Sequence, residues 1–200
     1  HLETGPSGMI ELANVAKAYA TSAGPTPILN DVNLALQRGD SIGILGRNGA
    51  GKSTLLRIIG GAELPDSGSV VRTMSVSWPL AFAGGFQTAL TGADNVRFIC
   101  RIYGVDPESS MAYVEDFTEL GIYLHEPVRT YSSGMRARLA FASSMVVEFD
   151  CYLIDEIVAV GDSRFQAKCH QELFTKRADR ARIIVSHDSG YIRDHCNRAA

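Results

Sequence analysis

The chain lacks any apolar run of the roughly 18 to 20 residues that a membrane-spanning helix needs. It has almost no charge imbalance, since 19 basic and 22 acidic side chains give a formal net charge of −3. This balance provides no general attraction to nucleic acid, and we expect no nucleic-acid partner. Its four cysteines contain no Cys-x-x-Cys pair, which predicts reduced thiols in a cytosolic protein. Any work at a membrane would therefore require a partner.

The size and composition of the chain suit one soluble domain with a substantial core. It has 200 residues, 46% of them hydrophobic and 20% charged, which is ordinary for a globular protein. The first eight residues, HLETGPSG, are typical of a residual expression tag, and Met9 is the expected native start. We therefore expect a single domain over residues 9–200.

Periodicity predicts strands that alternate with helices. Strands are predicted at 10–15, 28–34, 41–46, 70–77, 151–154 and 182–186, and helices at 53–60, within 92–127, at 134–148, at 163–178 and from about 189. The segment TSAGPTP (21–27) predicts a turn. Alternation of this kind is typical of an α/β protein with a largely parallel sheet, and the helical middle is typical of an inserted subdomain.

The segment GRNGAGKST (46–54) matches the phosphate-binding pattern G-x-x-x-x-G-K-[ST] between a predicted strand and a predicted helix. Backbone N–H groups in such a glycine-rich loop cradle phosphates, Lys52 reaches the β- and γ-phosphates, and the Ser53 hydroxyl can bind Mg²⁺. The candidate nucleotide-binding residues here are Gly46, Arg47, Asn48, Gly49, Ala50, Gly51, Lys52, Ser53 and Thr54. An accidental glycine-rich turn is the alternative, and the flanking elements argue against it. The motif alone leaves open a kinase, a GTPase or a motor, but the absence of an Asn-Lys-x-Asp motif disfavours a GTPase.

Two adjacent acids, Asp155 and Glu156, follow the apolar run 151–154. Burying a charge is costly unless the charge is paired or bound to a metal. Beside a phosphate loop, Asp155 is predicted to help hold Mg²⁺, and Glu156 to orient or deprotonate the attacking water. A solvated acidic turn is the alternative interpretation of the pair.

Four further features could serve a nucleotide site. Ser132, Ser133 and Gly134 begin a predicted helix and could bind a second anion, although a plain serine N-cap would account for them equally. His187 follows a strand and could contact a γ-phosphate, although a lone histidine is usually structural.

The other two features are single side chains. Gln87 lies in a glycine-rich loop and could sense metal and water, or be an ordinary surface amide. Tyr19 follows the first strand and could stack on adenine, or simply pack half-buried.

In this order, the motifs resemble those of the ATP-binding cassette family, over Tyr19 to His187. The matching positions are Tyr19 for the adenine-stacking aromatic, 46–54 for Walker A, Gln87 for the Q-loop, Tyr131, Ser132, Ser133, Gly134 and Met135 for the signature, Asp155 and Glu156 for Walker B, Asp162 for the D-loop and His187 for the switch histidine. The resemblance implies an α/β P-loop NTPase fold, with a RecA-like mixed sheet core, N-terminal antiparallel strands and a helical subdomain inserted at roughly 90–148.

The resemblance also implies how the residues would work. ATP would bind with Mg²⁺, whose ligands would come from Ser53, Gln87 and Asp155, while Glu156, His187 and Gln87 would be catalytic. The protein would act as a head-to-tail homodimer in which the signature residues of one subunit cap the nucleotide held by the other.

Departures from the usual family motifs narrow the branch. The signature is YSSGM rather than Leu-Ser-Gly-Gly-Gln, and Glu156 is followed by Ile157 and Val158 rather than Pro-Thr. With the segment 77–98, these variants resemble the ATP-binding subunits of capsular polysaccharide exporters. We therefore expect an ATPase that drives glycan export at the cytoplasmic face of the bacterial inner membrane, with a membrane-spanning permease subunit. An O-antigen or teichoic acid exporter, a non-transport cassette ATPase and a nucleotide-loaded switch are the alternatives.

Two expectations concern the partner surface and the C-terminus. The apolar side chains Trp78, Pro79, Leu80, Phe82 and Phe86 could form a docking cluster for the permease, or else belong to the core. The chain ends at Ala200, before the last strand usual in such cassettes, which leaves open whether its C-terminal end is truncated or its tail is missing from this sequence.

Overall fold

A computed structural model describes residues 8–22, 24–47, 49–80, 83–155 and 161–199. These residues fall into two compact units. The first comprises the described residues within His1–Pro79, Phe149–Glu156 and Asp179–Ala200, and the second comprises those within Leu80–Glu148 and Ile157–Ala178. Among the described residues, none of the helices is both long enough and apolar enough to cross a bilayer.

In chain order, the described ranges contain eight strands and six α-helices. They are β1 (Met9–Thr21), β2 (Gly24–Gln37), β3 (Ser41–Leu45), α1 (Lys52–Ile59), β4 (Ser67–Arg72), β5 (Val76–Pro79), α2 (Gly92–Tyr103), α3 (Pro107–Thr118), α4 (Ser133–Val146), β6 (Cys151–Asp155), α5 (Ser163–His170), β7 (Ala181–Ser186), α6 (Ser189–His195) and β8 (Arg198–Ala199). Short 3₁₀ turns lie at Ala83–Gly85, Gly121–His125 and Val128–Thr130, and a π-helical stretch, Gln171–Lys176, continues α5.

The first unit contains an antiparallel sheet of three strands in the order β2-β1-β4. Its β1–β2 hairpin is longer than predicted, because Thr21 already pairs with Gly24. The Thr21 hydroxyl donates to the Gly24 carbonyl at 2.7 Å, and Gly24 has a φ of 111°, a value that favours glycine. The prediction of a turn across 21–27 was therefore wrong for residues 24–27, which belong to β2.

The same unit contains a parallel sheet of five strands in the order β5-β6-β7-β3-β8. In its centre Leu45 is paired with Ser186, and Asp155 with Val185. The carboxyl ends of β3, β7 and β6 therefore lie side by side at one edge of the sheet, which is where α/β proteins bind their ligands. The α/β fold with a mostly parallel core and N-terminal antiparallel strands is confirmed.

The predicted strand at 70–77 was wrong, because the chain there forms two strands in different sheets. β4 ends at Arg72 and pairs with β1, whereas β5 begins at Val76 and pairs with β6. Asp150 holds the chain at the crossing point: its Oδ2 accepts hydrogen bonds from the Ser75 N–H at 3.1 Å and the Ser75 hydroxyl at 2.9 Å. A polar contact with a residue 75 positions along the chain thus separates two strands that the sequence pattern predicts as one.

The core of the first unit lies where α1 and the antiparallel sheet cover the parallel strands. Its fully buried members include Ile10, Leu36, Ile42, Leu56, Ile58, Ile59, Leu153 and Ile183. Gly43 on β3 allows α6 to approach, since a Cβ there would lie 2.2 Å from Cγ2 of Ile192. Burial of this kind is the main favourable contribution to folding.

The second unit contains helices α2 to α5. Thr91 and Asp106 act as N-caps of α2 and α3, accepting hydrogen bonds from Asp94 N and Ser109 N at 3.0 Å and 2.8 Å. The predicted helix at 163–178 is α-helical only to His170. Beyond it, the π-helical stretch leads to Arg177, whose guanidinium is buried against Glu172 at 2.7 Å. The predicted subdomain limits, roughly 90–148, stay a prediction.

Candidate functional site

The phosphate-loop segment, Gly46–Thr54, connects β3 to α1. Lys52 is the first residue of α1, and its Nζ donates hydrogen bonds to the carbonyls of Gly46 at 2.6 Å and Arg47 at 3.0 Å. Ala50 N donates to the Arg47 carbonyl at 3.1 Å, which tightens the loop. The ammonium group is therefore held inside the curve of the loop, at the N-terminal end of a helix, where anions are favoured. Asn48 lies outside the described residues.

Two glycines give this loop its shape. Gly49 and Gly51 have φ values of 84° and 85°, in the left-handed region that L side chains rarely adopt. A Cβ on Gly51 would also lie 2.8 Å from Ile28 Cγ2 and 2.9 Å from the Ile28 carbonyl, whereas nothing lies within 4 Å of one on Gly49. Conformation and close packing together require glycine at Gly51.

A pocket of about 260 Å³ opens above the loop. It is lined by Tyr19, Ile28, Gly49, Gly51, Lys52, Ser53 and Thr54. Within this set Ser53 is exposed, and Thr54 is buried at the foot of α1. The lining combines an aromatic ring, a cation and hydroxyls at a helix N-terminus, which suits a ligand with both a flat base and phosphates.

Asp155 ends β6 at the same edge of the sheet. Burial raises the pKa of its carboxyl group, and the positive charge of Lys52 opposes that rise. A half-buried carboxylate whose ionised form is disfavoured gains from a bound cation, and a carboxylate with a serine hydroxyl suits Mg²⁺. Asp155 and Ser53 thus fit a magnesium ion, although the described residues contain no cluster of three or more His, Cys, Asp or Glu side chains that could hold a metal.

The catalytic candidates of this unit are only partly described. His187 follows β7 directly and is exposed. β7 pairs with β3, the strand that leads into the phosphate loop. Asp188 accepts hydrogen bonds from Gly190 N and Tyr191 N at 2.8 Å and 3.2 Å and so starts α6 immediately after it. Glu156 lies outside the described residues.

Gln87 belongs to the second unit, and its side chain is exposed. Its backbone is fixed by Asn95, which is only 4% exposed. Asn95 Oδ1 accepts from the Gln87 N–H at 2.9 Å, and Asn95 Nδ2 donates to the carbonyls of Gln87 at 3.1 Å and Thr91 at 2.8 Å. Sequence reasoning missed Asn95, although a lone asparagine within the apolar pattern of α2 was a usable signal.

The signature segment begins with a buried residue and continues with exposed ones. Tyr131 is 3% exposed, and its hydroxyl donates to the Tyr123 carbonyl. Ser132 is the N-cap of α4 and accepts from Met135 N at 3.2 Å. Ser132 and Ser133 are exposed, and Gly134 and Met135 are partly buried. The plain N-cap interpretation of Ser132 is therefore correct as local structure, whatever else its hydroxyl binds.

Asp162 is the N-cap of α5, with its Oδ1 accepting from Phe165 N at 2.9 Å. Its other oxygen, Oδ2, lies 2.8 Å from Arg138 Nη2, and the Arg138 guanidinium lies over the Phe165 ring at 4.9 Å. The Phe165 hydrogen bond, with the Arg138 charge, holds the pKa of the Asp162 carboxyl below its usual range. Arg138 was not singled out from the sequence. Its ion pair with Asp162 connects α4, which follows the predicted signature segment, to the start of α5.

The described members of the predicted docking cluster are buried or partly buried, each within its own unit. Leu80 is 4% exposed, and Trp78 is partly buried with its ring 5.4 Å from that of Phe149, edge to face. Phe86 is also partly buried, and Phe82 lies outside the described residues. Leu80 therefore belongs to the core, and the docking cluster stays a prediction.

The motif geometry agrees with the comparisons with known proteins. A family model described as "ABC transporter" matches residues 29–159, more than half of the 200-residue chain. This chain belongs to the ABC transporter family. Among curated proteins it is 59% identical over 191 residues to the ATP-binding protein BexA of Haemophilus influenzae, covering 96% of this chain and 88% of BexA. It is equally similar, with the same coverage, to the capsule polysaccharide export ATP-binding protein CtrD of Neisseria meningitidis serogroup B.

A solved structure has the same fold as this ABC-family chain. The dimeric post-hydrolysis state of the ATP-binding cassette MJ0796, bound to ADP and Pi, superposes with a TM-score of 0.79 at 23% sequence identity. The match covers 93% of this chain and 91% of that one. The likeness shows the P-loop NTPase fold of an ATP-binding cassette, as the motifs implied.

Proposed function

We propose that this chain is the ATP-hydrolysing subunit of a bacterial exporter of capsular polysaccharide. One observation carries the ATPase part: β3, β7 and β6 end side by side, so the loops after them bring the phosphate loop, His187 and Asp155 to one edge. The polysaccharide part is supported by the 59% identity to CtrD, whose name states capsule polysaccharide export.

The proposed binding roles follow from charge and geometry. Lys52 binds the β- and γ-phosphates, and the N–H groups of the loop 46–51 surround them. Ser53, Asp155 and Gln87 hold Mg²⁺, which when bound neutralises the phosphate charge. Tyr19 stacks on the adenine ring at the mouth of the pocket.

The proposed reaction is hydrolysis of the terminal phosphate. Glu156 orients a water molecule and takes one of its protons as the water oxygen attacks the γ-phosphorus. The bond from that phosphorus to the bridging oxygen breaks, giving ADP and phosphate, while His187 donates a hydrogen bond to the γ-phosphate oxygens.

The complete site is proposed to need two copies of the chain. The exposed Ser132 and Ser133, with the N-terminus of α4, would cap the γ-phosphate held by the phosphate loop of the other copy. Glu156→Gln should therefore form a dimer with Mg·ATP that light scattering detects, because ATP stays uncleaved. Adding Ser132→Arg to that variant should abolish the dimer. A Glu156→Gln protein that stays monomeric with ATP would contradict the composite site.

The proposed setting is the cytoplasmic face of the bacterial inner membrane. A separate membrane-spanning permease subunit would carry the polymer, since no described helix can cross the bilayer. Residues 9–200 would form a single nucleotide-binding domain with its helical subdomain inserted at roughly 90–148.

The test deletes the gene in its own bacterium and measures surface polysaccharide. Reintroduced wild-type protein should restore it, and Lys52→Met should not, at equal protein abundance. Lys176→Met is the matched control, because this lysine is 56% exposed and outside the phosphate loop. Capsule that survives the deletion would refute capsular export, and loss of O-antigen or teichoic acid in its place would identify the alternative substrate.

A further inference from the structure

The hydroxyl group of Tyr19 is held by a polar network beside the nucleotide pocket. It donates to the carboxylate of Glu63, whose two oxygens lie 2.7 Å and 2.9 Å away. Arg57 Nη2 donates to the same hydroxyl oxygen at 3.0 Å and to Thr54 Oγ1 at 3.1 Å. Arg57 Nε completes the network with a hydrogen bond to Glu63 Oε2 at 3.0 Å.

The network connects three separate parts of the first unit. Tyr19 lies on β1, Arg57 is on α1, and Glu63 is in the loop between α1 and β4. Tyr19 and Glu63 are 44 residues apart in sequence, so only folding brings the two side chains into contact. Both Tyr19 and Thr54 line the pocket, and the network therefore begins at the pocket wall and extends away from it.

Glu63 is kept ionised by its neighbours. The hydrogen bonds from Tyr19 and then Arg57 hold the pKa of its carboxyl below the usual range. Lys17 Nζ lies 3.5 Å from Glu63 Oε1 on another side. A hydrogen bond to a charged acceptor is stronger than one between neutral groups, so the Tyr19 hydroxyl is firmly fixed.

Fixing the hydroxyl also restricts the ring. A tyrosine side chain that is free to rotate loses that freedom when it stacks on a ligand, and this loss weakens binding. A ring already held by Glu63 and Arg57 loses little on binding. This gain in affinity applies only to ligands that contact the Tyr19 ring, because phosphate groups bind at Lys52 and the phosphate loop.

We propose that Glu63 and Arg57 are positioning residues that hold the Tyr19 ring for the nucleotide base, and so set the affinity for the base portion of ATP. The inference rests on the proposed function, in which Tyr19 stacks on adenine. It assigns to the α1–β4 loop a part in nucleotide recognition. The alternative is that Glu63 merely anchors that loop.

The experiment compares two ligands on the full chain with Mg²⁺, using calorimetry. ATP carries a base and inorganic tripolyphosphate does not. Tyr19→Phe keeps the ring and loses the hydroxyl, and Glu63→Ala loses the carboxylate. Each should weaken ATP binding about three- to tenfold, the effect of about one hydrogen bond, and leave tripolyphosphate binding unchanged. The double variant should be no weaker than the worse single one, because both remove the same contact.

Two further variants separate positioning from loop anchoring. Glu63→Gln retains an oxygen that can accept from Tyr19, so it should recover part of the ATP affinity. Arg72→Ala is the matched control: Arg72 on β4 anchors the α1 end of the same loop, with its Nε donating to the Ile59 carbonyl at 2.6 Å. It should lower the melting temperature without changing the ratio of the two affinities.

The inference is overturned if Glu63→Ala weakens both ligands equally, or if Arg72→Ala changes the ratio as much as Glu63→Ala does. Tyr19→Ala then distinguishes what has failed. If Tyr19→Ala lowers ATP affinity selectively, its stacking role stands and only the positioning role of Glu63 falls. If Tyr19→Ala also has no selective effect, the adenine site assigned to Tyr19 is wrong as well.

Discussion

A Cβ atom on Gly92 would lie 2.4 Å from the hydroxyl oxygen of Tyr131. Gly92 begins α2, and Tyr131 occupies the first signature position, where related cassettes usually have leucine. The tyrosine hydroxyl also donates to the Tyr123 carbonyl. The variant signature of this chain is thus paired with a glycine that leaves space for its extra oxygen atom.

The first prediction concerns this pair. Gly92→Ala should lower the free energy of unfolding by about 1–3 kcal/mol, because the new methyl group overpacks the site. Tyr131→Phe alone should cost about 1–3 kcal/mol, since buried polar groups lose their partner. The double variant should lose less than the sum, because Phe removes the atom that the methyl group meets.

Urea denaturation measures all three variants. Gly134→Ala is the control in the same unit, because the nearest atom to its Cβ, Ser132 Oγ, is 3.9 Å away. It should leave stability unchanged or slightly higher. Strictly additive losses in the double variant would show that Gly92 and Tyr131 act independently.

The second prediction concerns the buried amide of Asn95. Asn95→Ala should destabilise the protein by about 1–3 kcal/mol, because its partners on Gln87 and Thr91 lose their hydrogen bonds inside the protein. Hydrogen exchange should accelerate at the Gln87 amide, which donates to Asn95. Asn33→Ala is the control, since Asn33 also makes several hydrogen bonds but is less buried. Equal effects of the two variants would argue against a special role for burial.

The third prediction compares the two glycines of the phosphate loop. Gly49→Ala and Gly51→Ala should both cost about 1–2 kcal/mol for the left-handed backbone. Gly51→Ala should lose about 1–3 kcal/mol more, because only its methyl group meets Ile28. Equilibrium unfolding measures the difference, and equal losses would mean that the loop can shift away from Ile28 at little cost.

The fourth prediction concerns two opposite effects of Asp155, on the stability of the free protein and on metal binding. Burial raises the pKa of this carboxyl group, so its ionised form opposes folding. Asp155→Asn should therefore raise the melting temperature without ligand, and abolish the further rise that Mg·ATP gives to the wild type. If Mg·ATP raises the melting temperature of Asp155→Asn as much as that of the wild type, Asp155 is not a ligand of the metal.

The pH dependence of the Asp155 effect has a definite sign. Below the ordinary aspartate pKa of about 4 the group is protonated in both states, and it does not penalise folding. As the pH rises from that value toward the raised folded pKa, the unfolded state loses its proton before the folded state does, so the wild type loses stability relative to Asp155→Asn. Thermal unfolding without ligand should thus show the advantage of Asp155→Asn growing from acid to neutral pH.

Local sequence was enough to predict the functional loops. The phosphate loop was predictable because its glycines, Lys52 and Ser53 must be contiguous to fold around phosphate. The helix that Ser132 begins was predictable for the same reason, since an N-cap acts within its own turn. Asp155 was a candidate metal ligand because a carboxylate at the end of an apolar strand needs a cation to offset its desolvation.

Contacts between distant residues were not predictable in this way. Nothing near Ser75 in the sequence indicates that Asp150 divides the run at 70–77 between two sheets. The ordinary-looking Glu63 gives no local sign of its bond to Tyr19. The pairing of Gly92 with Tyr131 is hidden too, because glycine at a helix start suits many structures.

The sequence by itself determined the chemistry of this protein: a phosphate loop, an acid pair, a signature and a histidine in the order of an ATP-binding cassette. Those motifs are short, and their physics acts over neighbouring residues. The tertiary structure alone decided which side chains hold the motif residues in place. Tyr19, Gln87 and Tyr131 depend on Glu63, Asn95 and Gly92, because close packing and hydrogen bonding act between atoms that only folding brings together.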